Sequence, residues 1–60
     1  MFKVTPEDIQ KIRLQLQLTQ EEFAFKIGVT HSTIHRWEKG KSTPSKLALI
    51  RLSEFKQKVA

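Results

Sequence analysis

Four polar residues stand close together in this chain: His31, Ser32, His35 and Arg36. At about 100° per residue they fall on one side of a helix, and Thr33, Ile34 and Trp37 fall on the other. Two histidines at i and i+4 can bind one metal ion. The chain holds no cysteine, and the nearest further ligand is Glu38, three residues on, so no metal and no cofactor is expected. The same four side chains form a set of hydrogen-bond donors and acceptors suited to reading base edges. The Arg36 guanidinium matches O6 and N7 of guanine. Any solvated helix face has some of this character, so the elements around it decide its meaning.

The segment His31 to Lys39 is bounded as a helix. Thr30 can cap its start, Val29 and Ile34 can close a hydrophobic staple, and Gly40 suits a left-handed C′ position. A second short helix precedes it, about Gln20 to Ile27. There Thr19 and Glu22 have capping-box spacing, and Leu18 and Phe23 have staple spacing. Gly28-Val29 makes the turn between the two. Helices this short are marginal alone, so others must flank them. Thr5-Pro6-Glu7-Asp8 opens a first helix with a cap, a proline at N1 and acidic residues at the positive end of the dipole. Val4 and Ile9 make a third staple, and Ile9, Ile12 and Leu16 give it one apolar stripe to about residue 17. Leu14 and Phe25 lie off the apolar stripes and are expected outside, with Phe2 of an N-terminal arm packing near Phe25. Thr43 and Pro44 are expected to start the last helix, which runs to about Phe55. Leu47 and Ile50 are expected in the core with Ala48 or Leu52 nearby, and Leu49 and Phe55 outside. The expectation is an all-α, compact four-helix domain over residues 1–60, with a helix-turn-helix at about 19–40 and a last helix at about 44–56.

Sixty residues allow one thin core and no deep substrate pocket, which argues against an enzyme. Without cysteine there is no disulfide, and a cytoplasmic, nucleoid-associated location is expected. No apolar run has membrane-spanning length. The net charge of +5 is unevenly placed. Charges cancel over residues 1–35, and residues 36–60 carry the whole excess through Arg36, Lys39, Lys41, Lys46, Arg51, Lys56 and Lys58 against Glu38 and Glu54. A basic half that starts at the polar helix suits a polyanion. Lys56 and Lys58 are assigned to a solvated tail.

These residues resemble the Cro/phage-repressor (XRE) family of helix-turn-helix domains, lambda-repressor-like in fold. The resemblance is carried by Ile9-x-x-Ile12-Arg13, by Leu18-Thr19-Gln20-Glu21-Glu22-Phe23-Ala24 and by Ile27-Gly28-Val29-Thr30. It continues through Ile34, Arg36-Trp37-Glu38-Lys39-Gly40-Lys41 and Pro44. It implies sequence-specific binding of double-stranded DNA by a transcriptional regulator, with helix 31–39 in the major groove. It implies base contacts from His31, Ser32, His35 and Arg36, and phosphate contacts from Gln20, Thr30, Thr33, Lys39, Gly40 and Lys41. Arg13 and Glu38 match a structural ion pair. Homodimerisation through the last helix (Leu49, Leu52, Phe55) is the expected assembly. The alternative is an antitoxin-like module that uses the same fold to bind a protein partner. One departure is Gln17, where the family often has glycine, so the end of the first helix is expected to be tighter or differently capped.

Overall fold

A computed structural model of the chain describes residues 4–59, with side chains described to residue 56. Phe2, Lys3 and the Lys58 side chain lie outside the described residues. Four helices follow in order: α1 (Pro6–Gln15), α2 (Gln20–Ile27), α3 (His31–Glu38) and α4 (Lys46–Val59).

Local chemistry sets the first three starts. Thr5 Oγ1 accepts from the Asp8 N–H, and Asp8 accepts from the Thr5 N–H, both at 3.1 Å. Thr19 and Glu22 form the same reciprocal box at 3.1 and 2.8 Å. Thr30 Oγ1 accepts from the Thr33 N–H at 3.2 Å. Each arrangement satisfies N–H groups that a helix start leaves free.

The ends are equally defined. Gly28 and Gly40 turn left-handed at φ of 92° and 75°. After α3, the Gly40 N–H donates to the Trp37 carbonyl and the Lys41 N–H to the Arg36 carbonyl, closing a Schellman turn. Gln17 takes the same left-handed role after α1 at φ 58°. There the Gln17 N–H donates to Leu14 and the Leu18 N–H to Arg13. The turn is the ordinary glycine turn, made with a residue whose Cβ disfavours it.

The core gathers Ile9 and Ile12 from α1, Phe23, Ala24 and Ile27 from α2, Ile34 and Trp37 from α3, and Ala48 and Leu52 from α4. Val4, Leu18 and Val29, the outer members of the three staples, pack against it with Leu16 and Phe55. Leu14 and Phe25 point outward, Phe25 being 87% exposed.

Helix α4 departs from the sequence expectation in two ways. Ser45, not Thr43, caps it: Ser45 Oγ accepts from the Ala48 N–H at 3.3 Å, and the Ser45 carbonyl accepts from Leu49. Its buried face is Ala48, Leu52 and Phe55, while Leu47 and Ile50 are 62% and 53% exposed. Continued by one turn, the Leu47 stripe meets Arg51 and then Glu54, whose burial would leave charges unsolvated. The Ala48–Leu52–Phe55 stripe stays apolar for two turns. Phe55 meets the fully buried Phe23 edge-on, with ring centroids 6.1 Å apart. Leu52 has no exposed surface and belongs to the core, and Phe55 packs half-buried against it.

Candidate nucleic-acid interface

Helix α3 is held from beneath. Ile34 and Trp37 are buried and Thr33 is half-buried, while His31, Ser32, His35 and Arg36 are all exposed along the opposite side. One face fixes the helix and the other offers imidazole, hydroxyl and guanidinium groups to solvent. With its side chains an α-helix is about 10–12 Å across, close to the roughly 12 Å width of a B-form major groove.

Beneath this face lies a partly buried ion pair. Arg13 Nε donates to Glu38 Oε2 at 2.7 Å and Arg13 Nη2 to Glu38 Oε1 at 3.2 Å. Arg13 Nη1 donates to the Leu18 carbonyl at 3.0 Å. The two side chains are 12% and 6% exposed. This pair ties α1 to the end of α3 and, through Leu18, to the chain entering α2. Burial alone would raise the Glu38 carboxyl. The hydrogen bonds from Arg13 and Gln20, with the Arg13 charge and a smaller effect of His35, outweigh it and hold the carboxyl below the usual glutamate range.

Gln20 extends the pair to the surface. Its Nε2 donates to Glu38 Oε1 at 3.0 Å, and its Oε1 lies 3.0 Å from His31 Nε2. The amide therefore spans from a buried carboxylate to an exposed imidazole and leaves one N–H unused. This pairing of Gln20 with His31 has no counterpart in the sequence reading, because eleven residues and a turn separate the two.

The remaining positions divide. Thr30 and Thr33 are joined at 2.8 Å between their hydroxyls, at the start of α3. Lys39 and Lys41 are exposed on either side of Gly40. The Gly40 N–H is committed to the Trp37 carbonyl at 3.1 Å, so what this turn offers outward is the two ammonium groups. A shallow cleft of about 290 Å³ opens beside Thr33 and Arg36, lined also by Ser42, Thr43 and Ser45. With Thr43 read as the cap and Pro44 as the first helical residue, Ser45 falls inside the expected last helix, and the run Ser-Thr-Pro-Ser is the signal available in the sequence. Among the described residues, no group of three His, Cys, Asp or Glu comes together as a metal site, and no helix is long and apolar enough to cross a membrane.

Comparison with known proteins agrees with this architecture. A family model described as helix-turn-helix matches residues 9–55. An uncharacterized HTH-type transcriptional regulator of Methanothermobacter thermautotrophicus is 44% identical over 45 residues, covering 75% of this chain and 65% of that protein. One of the same description from Haemophilus influenzae is 54% identical over 33 residues, 55% of this chain and 14% of the relative. The type II methyltransferase M1.ScrFI of Lactococcus lactis is 38% identical over 50 residues, but the match spans only 13% of it. The chain thus spans less than two thirds of each of these relatives, and what it shares with the methyltransferase is a small segment. With four capped helices, a glycine turn between α2 and α3 and a family match over residues 9–55, the chain belongs to the helix-turn-helix family, of the Cro/phage-repressor kind.

Proposed function

We infer that this chain is a sequence-specific double-stranded DNA-binding module of a transcriptional regulator. The observation that carries the reading is α3: a helix anchored by Ile34 and Trp37 whose free side aligns His31, Ser32, His35 and Arg36. These four are the base-reading set, with Arg36 directed to guanine. Gln20, Thr30, Thr33, Lys39 and Lys41 surround them as the phosphate-contacting set, and Gly40 acts by shaping the turn that carries the two lysines. Phosphate contacts position a protein and base contacts specify. The basic C-terminal half supplies a salt-sensitive part of the affinity. One short helix reads few base pairs, so two copies on an inverted repeat form the natural binding unit.

Selection of sites from a random duplex pool at about 0.15 M salt tests this, because non-specific binding is screened there. An enriched inverted repeat is expected. Arg36→Ala is expected to cost roughly 1–3 kcal/mol and relax one base pair, and Lys41→Ala to weaken all sequences alike and lower the salt slope by about one. Retention of no DNA by the wild-type protein sinks the reading. The exposed Phe25, Leu47 and Ile50 favour a second reading, a protein-interaction module on the same fold. A stable protein partner recovered in the absence of DNA binding supports that one.

A further inference from the structure

Gln20 joins two groups of opposite hydrogen-bonding character, and the order of its atoms is not free. Arg13 is a permanent cation and grips Glu38 with two N–H donors. An ionised carboxylate can only accept. The end of the Gln20 amide 3.0 Å from Glu38 Oε1 must therefore be its NH₂ group, and the end facing His31 must be its carbonyl oxygen. That oxygen also only accepts, so the ring nitrogen 3.0 Å away, His31 Nε2, must carry the proton. A neutral imidazole has one N–H and one bare nitrogen. With the proton held on Nε2, Nδ1 remains as an acceptor.

We propose that the Arg13–Glu38–Gln20 chain sets the base preference of His31 by holding it in the Nε2–H tautomer. Position 31 then offers DNA an acceptor and selects a base that presents a donor. In the major groove those donors are N6 of adenine and N4 of cytosine, whereas guanine shows two acceptors. This rests on the DNA-reading function inferred above and adds to it the sense of one contact. Gln20 is in this respect a positioning residue: it acts on DNA sequence through a proton on another side chain. A purely structural Gln20–His31 bond would tie α2 to α3 equally well and would leave the preferred base unaffected by the polarity of residue 20.

Inverting that polarity is the test. Gln20→Lys places an ammonium, which has only donors, between Glu38 and His31. It can still serve Glu38, but it faces the ring with an N–H and drives the imidazole proton to Nδ1. Gln20→Arg does the same with a different side chain and serves if the lysine variant folds poorly. The full chain is compared as wild type and variant at pH 8, where histidine is ordinarily neutral. Nitrogen-15 correlation spectra of the His31 ring report the tautomer, and site selection from a random duplex pool reports the preferred base. The expected result is Nε2–H in the wild type and Nδ1–H in the variant. One base position should change from adenine or cytosine to guanine or thymine, by roughly tenfold in relative affinity. The added charge raises affinity for all sequences and leaves relative preference alone. The same tautomer in both proteins overturns the proposal. So does an enriched site whose base preferences are identical in both, with the DNA-binding reading left standing. If neither protein enriches any sequence, the DNA-binding reading itself fails and this inference fails with it.

Discussion

The partly buried pair beneath α3 is the feature whose loss should be felt most. Arg13 and Glu38 are 12% and 6% exposed and share two N–H···O contacts, at 2.7 and 3.2 Å. Glu38→Leu leaves the guanidinium buried without its counter-charge. Orphaning one member of such a pair costs about 3–5 kcal/mol. Arg13 keeps its bond to the Leu18 carbonyl at 3.0 Å and some access to water, which places the expected cost at the low end, about 3 kcal/mol. At roughly 0.05–0.15 kcal/mol per residue, a chain of 60 residues has about 3–9 kcal/mol in total. The substitution therefore removes a third or more of the stability, and Tm should drop by roughly 12 °C or more. Arg13→Met alone should also destabilise, by leaving the carboxylate buried. The double variant Arg13→Met/Glu38→Leu replaces both charges with apolar groups that need no solvation, and should return to within about 1 kcal/mol of the wild type. Urea unfolding at pH 7, followed by far-UV circular dichroism, measures all four proteins as a double-mutant cycle. A coupling of about 2 kcal/mol or more is expected. A Glu38→Leu protein within about 0.5 kcal/mol of the wild type would refute the reasoning, since that is the range of ordinary surface changes.

Further expectations concern α4, the α1 turn and acid. Leu52→Ala should cost about 2–5 kcal/mol, because Leu52 is fully buried. Leu47→Ala should stay within about 0.5 kcal/mol, and the reverse order in urea midpoints would restore the other face of α4 to the core. Gln17→Gly should stabilise by about 0.5–1 kcal/mol, because glycine adopts φ near 58° without the Cβ clash; an unchanged or lower midpoint counts against strain there. The Glu38 carboxyl is held below its ordinary value of 4.5. In acid the unfolded chain therefore binds that proton first, so this contribution is complete above pH 4.5 and is lost as pH falls through the lower folded-state value. Denaturation between pH 7 and pH 3 should show a steeper acid loss for the wild type than for Glu38→Gln; equal slopes would remove Glu38 as a source.

How much could be read before folding depends on how local each determinant is. Thr5, Thr19 and Thr30 act on N–H groups three residues away, and Gly40 acts on carbonyls of its own helix, so sequence alone located these helix boundaries. The two sides of α3 were equally legible, because Ile34 and Trp37 are its only large apolar residues. Their spacing forces the polar set outward. Three things were decided only in the tertiary structure. Helix α4 offers two apolar stripes, and the choice between them depended on Phe23 standing opposite Phe55 and on the cost of burying Arg51 and Glu54. Gln17 accepts a left-handed turn because Leu16 and Leu18 on either side of it pack against the core, and that packing outweighs a local preference. Gln20 meets His31 and Glu38 because α2 and α3 fold across each other, bringing residues eleven and eighteen positions apart to 3.0 Å. Periodicity reports which way a side chain points along its own helix. It carries no information about which group waits on the next one, and here that group determines where the proton of the exposed histidine sits.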